Sequence, residues 1–185
     1  EIPTEEKNGI KILVPAQFYK DKQNVENPEL YAIFPYRKYA LGKPGLELAK
    51  NTFNNRLVKE TGGWQQNAIK AACLGLTDEA AELMLQNFNT KNPAFRFPTM
   101  WGPNYDWIPD QDHGSVAMIA LQSMLLQCDG DEINLFPAWP PKWNVKFKLK
   151  APLKTMIEGE YKNGKLLRLI VTPKEREKNI KNWLN

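Results

Sequence analysis

Carboxylates and aromatic rings are concentrated in one stretch of the chain, residues 95–127. Its first half is rich in proline, aromatic and acidic residues and contains the single histidine, His113. A long loop of this composition is typical of a functional segment, because disordered segments have few aromatic residues. Rings offer an apolar surface with a polar edge, and carboxylates accept hydrogen bonds from hydroxyl groups. The stretch therefore predicts a saccharide-binding site.

Each candidate residue in this loop also has an ordinary structural interpretation. Trp101 and Trp107 would stack on sugar faces, or would pack into the core beneath the loop. Asp110 would accept hydrogen bonds from sugar hydroxyls, or would shape a turn. His113 would donate to a hydroxyl or tune Asp112, or would be a hydrogen-bonded structural residue. Asp112 stands where an aspartate commonly caps the following helix.

Helical periodicity surrounds the loop. Apolar residues recur at helical spacing in four segments, and the predicted buried stripes include Leu57 and Leu85. The second and third segments, joined through Gly75, form a predicted helical hairpin. The fourth has almost no polar face, so it is expected to be surrounded by other helices. The four predicted helices cover residues 46–59, 64–74, 78–88 and 114–127.

Strand patterns follow after residue 129. Lysines alternate with apolar residues from Val145 to Lys150, which predicts a half-buried strand. Asn163-Gly164 is a strong hairpin signal between two further apolar segments. Predicted strands cover residues 132–136, 145–149, 154–161 and 165–172, and residues 174–184 are expected to form a charged terminal helix or tail. A small antiparallel sheet is therefore expected to follow the helices.

Composition restricts the class of protein. The 185 residues carry a net charge of +4, and five lysines with no acidic residue lie within residues 142–154. The solvated face of a strand accounts for these lysines, so nucleic acid is not the expected partner. One histidine and two cysteines do not match a zinc site, and no apolar run is long enough for a membrane span. Cys73 and Cys128 are expected to be buried, with a disulfide between them left open.

Five short segments, taken in order, resemble one family: residues 30–35 (LYAIFP), 62–64 (GGW), 74–78 (LGLTD), 124–127 (MLLQ) and 132–140 (EINLFPAWP). They look like segments of the inverting α-L-fucosidase and galactosidase group, family ninety-five of the glycoside hydrolases. Proteins of that group contain an (α/α) six-hairpin toroid followed by a β-domain. Two departures are clear: the histidine-rich run before the first segment is absent, and His113-Gly114 replaces a Gly-Asn pair.

The resemblance implies a fold class and a division of the chain. We expect an α+β fold, with toroid-type helical hairpins over residues 1–128, including a long aromatic loop over 89–113. A small antiparallel sheet domain is expected over residues 129–185. Since the earlier parts of the toroid have no counterpart here, the sequence is interpreted as the C-terminal portion of a longer protein. Secretion or a periplasmic location is expected through the resemblance alone.

The resemblance also implies roles for particular residues. Asp112 takes the position of the aspartate that activates water, and Trp64 that of a substrate-binding tryptophan. Inverting hydrolysis needs a second carboxyl as the acid. No counterpart of the family's acid can be placed, and only Glu26 and Glu29 are available as replacements, each with an alternative role at a helix start.

The predicted function is that of a glycoside-hydrolase-like protein acting on an oligosaccharide or glycan, with no cofactor. The alternatives are a non-catalytic carbohydrate-binding or structural module, and a helical interaction domain of a larger assembly. The expected protein partner is a second copy of the chain or the N-terminal portion of the parent protein.

Overall fold

The computed structural model describes residues 2–20, 25–60, 65–89 and 112–184, without the side chains of Asp112 and His113. Within these ranges the chain forms eight strands in three small sheets, together with four α-helices and two short 3-10 helices. The α-helices are only 7 to 14 residues long. The arrangement is mostly made of β-strands and short helices.

The predicted fold class, toroid-type helical hairpins followed by a sheet domain, is therefore wrong. No repeated pattern of paired helices is found among the described residues. The first α-helix, α1 (Leu46–Asn54), packs on a strand and on the 3-10 helix Pro28–Leu30 instead of on a helical partner. Its buried face contains only Ala49, Thr52 and Phe53, which is too little to form a helical layer.

A two-stranded sheet begins the chain. Strands β1 (Thr4–Lys7) and β2 (Ile10–Leu13) pair antiparallel across Asn8 and Gly9, which both have positive φ. The backbone N–H of Leu13 donates to Thr52 Oγ1 of α1 at 2.9 Å. This bond fixes the end of β2 against α1.

Three further helices pack against one another. They are α2 (Asn67–Cys73), α3 (Thr77–Asn89) and α4 (Asp112–Leu125). Every residue of α2 is buried, so this short helix lies at the centre of the group. Gln127 follows α4 and donates from Nε2 to the carbonyl oxygen of Ala72 at 2.8 Å, which joins the end of α4 to α2.

The second sheet grows directly from the end of α4. Strand β3 (Leu126–Asp129) pairs antiparallel with β4 (Glu132–Leu135), and β8 (Ile180–Asn182) pairs parallel with β4. Trp183 Nε1 donates to Asn134 Oδ1 at 2.6 Å and holds β8 in place.

The third sheet has the order β5 (Val145–Ala151), β6 (Thr155–Lys162) and β7 (Lys165–Thr172), all antiparallel. Asn163 and Gly164 have positive φ, as the predicted hairpin turn requires. Phe136, which is 1% exposed, lies against the rings of Phe147 and Tyr161 and connects this sheet to the helices.

Several details differ from the periodicity predictions. Leu57 is 69% exposed because α1 ends at Asn54, before its stripe could reach it. Leu85 is 43% exposed because the buried face of α3 is formed by its neighbours Leu83, Met84 and Asn87. In α4, Met118 is half-exposed, so the described residues do not surround this helix. Residues 126–127 belong to β3, because pairing with β4 replaces the last predicted helical turn.

The terminal segment 174–184 is also different from the expected helix or tail. It contains the 3-10 helix Lys174–Asn179 followed by β8, because its backbone pairs with β4. Cys73 and Cys128 are free thiols, so the disulfide that the sequence left open is not formed. The predicted division of the chain at residue 128 stays a prediction. One buried cluster contains residues from both sides of that position, such as Met84 of α3 and Tyr161 of β6.

Gly159 provides a test of the packing in the third sheet. A Cβ at this position would lie 2.4 Å from Cε1 of Phe147, so Gly159→Ala must displace that ring. We expect a loss of about 1–3 kcal/mol in the free energy of unfolding, measured by urea denaturation.

The control is the double variant Gly159→Ala/Phe147→Leu, which removes the ring. If the clash with Phe147 is the cause, Phe147→Leu lowers the free energy of unfolding less in the Gly159→Ala background than in the wild type. If the losses in the free energy of unfolding of the two single variants simply add in the double variant, the clash is not the cause.

Candidate functional site

The residues predicted to form the site lie mostly outside the described residues. Asp112 and His113 are the first two residues of α4, and their side chains are not described. The remaining predicted substrate-binding residues are outside the described ranges: Trp64, Trp101, Trp107 and Asp110. The structure therefore does not test whether these side chains form one site, and their roles stay predictions.

The described residues contain a different polar cleft, made of two cavities that share Glu26. The larger cavity has a volume of about 380 Å³, and the smaller one about 120 Å³. We call them the apolar cavity and the amide cavity after their linings. The side chain of Glu26 is half-buried between them. The volume of the larger cavity is within the range usual for small-molecule sites.

The apolar cavity is formed where β2 ends against α1 and the 3-10 helix. Its carbon surface includes Leu13 and Val14, two consecutive buried residues that directly precede Pro15. Ionisable and polar side chains stand around this surface: Glu5, Lys7, Tyr19, Glu26, Glu29, Thr52 and Asn55. The cavity thus combines an apolar lining with a largely acidic rim.

The amide cavity is formed at the start of α2. Three consecutive amide residues, Gln65, Gln66 and Asn67, contribute to its lining, together with Asn27 and Tyr31. Amide side chains are both donors and acceptors, so this cavity can bind groups of either kind. A ligand hydroxyl is one such group.

Two buried asparagines determine the shape of the amide cavity. Asn27 Nδ2 donates to the carbonyl oxygen of Val58 at 2.8 Å, and the N–H of Val58 donates back to Asn27 Oδ1 at 3.1 Å. Asn67 Nδ2 donates to the carbonyl oxygens of Val58 and Glu60 at 3.2 and 2.9 Å. These bonds hold the segments before the 3-10 helix and after α1 against the start of α2.

Gln65 and Gln66 each have a buried side-chain oxygen. Gln65 is 8% exposed, and its Nε2 donates to the carbonyl oxygen of Val25 at 3.3 Å. Within the part of the chain that is described, the Oε1 atoms of both glutamines lack a hydrogen-bond donor. A buried acceptor without a donor costs about 1–3 kcal/mol.

Charged groups of the cleft lie close to two of its tyrosines, Tyr19 and Tyr31. Tyr19 donates its hydroxyl to Glu5 Oε2 at 3.1 Å, and burial together with the Glu5 carboxylate raises the pKa of Tyr19. Burial, followed by the charges of Glu26 and Glu29, raises the pKa of Tyr31. The buried Lys70 places its Nζ 5.3 Å from the centre of the Tyr31 ring.

Other kinds of site are not found in the described ranges. No group of three or more His, Cys, Asp or Glu side chains there is placed to hold a metal ion. No helix among those residues is both long and apolar enough to span a bilayer. Burial raises the pKa of both Cys73 and Cys128, which keeps these thiols protonated and weakly nucleophilic.

Sequence reasoning identified only part of this cleft. Glu26 and Glu29 were candidates because they lie where the histidine-rich run of the resembling family is missing and are the only nearby replacements for its acid. The amides were missed, although the run Gln65-Gln66-Asn67 directly follows Trp64 and resembles no ordinary helix start. That run was the available signal, since helix starts favour one capping residue rather than three amides.

Asn27 provides a test of the cleft's framework. Asn27→Leu removes both halves of the reciprocal pairing with Val58 and leaves the partly buried N–H and carbonyl oxygen of Val58 with fewer partners. We expect a loss of about 2–3 kcal/mol in the free energy of unfolding, measured by urea denaturation. The exposed Asn54, changed to Ala, is the control and should alter stability by less than about 0.5 kcal/mol. Equal effects of the two substitutions would contradict the proposed framework.

Comparison with known proteins does not assign the chain to a family. No family model matches its sequence. No curated protein matches it at a significant level either.

Proposed function

We propose that the chain binds saccharides in the cleft at Glu26 and belongs to a carbohydrate-active protein of the glycoside hydrolase type. The observation that carries this proposal is the two-sided lining of the cleft. One cavity offers carbon surface formed by Leu13 and Val14, and the other is lined by amide residues that include Gln65 and Gln66. A sugar ring has the matching character, since C–H groups form its faces and hydroxyl groups its edge.

The dimensions support the same assignment. The apolar cavity of about 380 Å³ suits a small organic ligand, whereas the amide cavity of about 120 Å³ suits only a substituent or ordered water. A ring in the apolar cavity would therefore direct its polar substituents past Glu26 toward Gln65 and Gln66. Tyr19, half-exposed at the rim, offers a ring for stacking.

The catalytic part of the proposal rests on the sequence resemblance. Inverting hydrolysis needs an acid that protonates the leaving oxygen and a base that activates water, about 6.5–9.5 Å apart. Asp112 is the proposed base. Glu26 is a better candidate for the general acid than Glu29. Glu26 lines both cavities, whereas Glu29 lines the apolar cavity and not the amide cavity.

A second function, association with another protein, is favoured by one observation on α4. Met118 and Ile119 are 50% and 42% exposed on a helix whose other described apolar residues are buried or half-buried. Exposed apolar side chains next to one another are typical of interfaces. Light scattering over a concentration series tests this candidate, since self-association should increase with concentration and decrease in Met118→Lys.

Saccharide binding is tested by calorimetry with neutral fucose- and galactose-containing oligosaccharides. Gln66→Leu removes one amide side chain from the lining of the amide cavity, so we expect about a tenfold loss of affinity, corresponding to one hydrogen bond. Gln122→Leu, on the exposed face of α4, is the matched control and should bind as the wild type does. Lack of binding by the wild type, or equal affinities for all three proteins, would refute saccharide binding in this cleft.

Catalysis is tested separately with aryl α-fucosides and α-galactosides. Asp112→Asn and Glu26→Gln should each lower kcat by about 10²-fold or more, which is the usual contribution of a catalytic acid or base. Asp78→Asn, exposed in the first turn of α3, serves as the control with unchanged kcat. Saccharide binding without turnover in the wild type would identify the chain as a non-catalytic binding module.

A further inference from the structure

Basic residues are concentrated in the last part of the chain. Residues 142–185 contain 12 lysine and arginine residues and 4 acidic residues, whereas residues 1–141 contain 13 basic and 17 acidic residues. The two parts therefore have net charges of +8 and −4. Such an asymmetry within one chain is typical of proteins that contact a polyanion or a membrane surface.

The third sheet collects much of this charge on one face. In β6, buried residues alternate with more exposed ones, so one face of the sheet packs on the core and the other, which we call the outer face, points away from it. The strand register places two half-buried carboxylates on the outer face, Glu158 and Glu160. The same register places six exposed cations there: Lys146, Lys148, Lys150, Lys162, Lys165 and Arg168.

Neighbouring charges do not cancel this excess. Lys148 Nζ pairs with Glu158 Oε1 at 2.8 Å, which neutralises one cation of the outer face. The 3-10 helix Lys174–Asn179, which packs on β7, contains three cations and two carboxylates, and one of those cations, Arg176, pairs with Asp131. That end of the sheet therefore adds no net charge, and the outer face stays positive.

Two of these cations oppose each other directly. Lys162 and Lys165 are cross-strand partners on either side of the turn at Asn163 and Gly164. Among the described residues, neither lysine forms an ion pair. Like charges directly opposite each other destabilise a strand pair, so this arrangement has an unfavourable interaction in the free protein that an anionic partner would relieve.

A second observation, an exposed leucine among the cations, indicates what kind of anion this is. The register of β7 against β6 steps from Leu166 to Arg168, so Leu167 is the extra residue of a β-bulge, and it is 58% exposed. Bulges re-aim a side chain, and this one presents an apolar group between Lys165 and Arg168. A nucleic acid backbone would satisfy the cations but offers little apolar surface, whereas a bilayer of anionic lipids offers both.

We propose that the outer face of the third sheet docks on membrane surfaces that contain anionic phospholipids. The cations around the Asn163-Gly164 turn contact the headgroups, and Leu167 reaches the boundary of the acyl chains. This inference goes beyond saccharide binding, because none of these residues lines the cleft. Lysines act as point charges, so the surface selects for headgroup charge rather than for one headgroup structure.

The test measures partitioning of the full chain onto lipid vesicles by cosedimentation at low ionic strength. One set of vesicles is phosphatidylcholine alone, and the other contains about one-third phosphatidylserine, which gives it a negative surface potential. We expect a partition coefficient about tenfold or more higher on the anionic vesicles. The preference should decrease as salt is added, because salt screens exposed charges.

Charge variants locate the contact. Lys162→Gln/Lys165→Gln removes the opposed pair, so we expect about a tenfold or larger loss of partitioning onto the anionic vesicles. Lys11→Gln/Lys59→Gln removes the same charge from exposed positions outside the third sheet and should change partitioning less than about twofold. The thermal midpoint is measured alongside, and loss of a like-charge pair should not lower it.

The apolar contact is tested with a matched pair of leucines. Leu167→Ser should lower partitioning onto the anionic vesicles by about three- to tenfold, because it removes the inserted side chain. Leu85→Ser, at a 43% exposed position of α3, is the control and should partition as the wild type does.

The outcomes separate this inference from the proposed function. Equal partitioning of the wild type onto neutral and anionic vesicles would overturn membrane docking and leave saccharide binding intact, and this comparison stands even where a variant is unstable. Equal losses in the two double-lysine variants would also overturn it, since net charge alone would then explain the preference. Tighter binding to a DNA duplex or to polygalacturonate than to the anionic vesicles would assign the outer face to another polyanion.

Discussion

The hydrogen bonds of Asn27 are the interaction on which the candidate site depends. A single side chain donates to and accepts from the backbone of Val58, and it also contacts Asn67 Oδ1 at 3.3 Å. In this way the segment before the first 3-10 helix, the segment after α1 and the start of α2 are fixed relative to one another. Since all three contribute walls of the cleft, the positions of Glu26 and of the two glutamines follow from this buried amide pair.

In the hydrophobic core, Phe136 connects the helices to the third sheet. Phe136 stands between the helices and the third sheet, with its backbone N–H donating to the carbonyl oxygen of Leu125 at 2.7 Å and its ring against Phe147 and Tyr161. It adopts a positive φ of 56°, which a phenylalanine tolerates only where surrounding contacts determine the backbone. One residue thus connects the end of α4 to the third sheet.

Local patterns predicted the single elements better than their assembly. The turn at Asn163 and Gly164, and the alternation in β5, follow from side-chain chemistry that acts over a few residues. The hairpin at Asn8 and Gly9 has the same turn signal but was not predicted, because β1 is entirely exposed and contains no apolar residue. The toroid was wrong because it came from short matching segments, whereas packing is decided by how much apolar surface each helix can bury.

Less of the candidate site than of the fold could be predicted from the sequence. Glu26 and Glu29 could be singled out from their position, but the bonds that make a cavity beside them connect residues 31 and 40 positions apart. Nothing in a local pattern distinguishes an asparagine that makes such bonds from one in an ordinary turn. Burial of the side-chain oxygens of Gln65 and Gln66 is likewise a property of the assembled fold. The sequence shows only that the two glutamines are consecutive.

The shared position of Glu26 has a thermodynamic consequence. One side chain lines both cavities, so two bound groups that both contacted Glu26 would change each other's affinity. Such linkage is reciprocal, so the effect of the first group on the second would equal that of the second on the first.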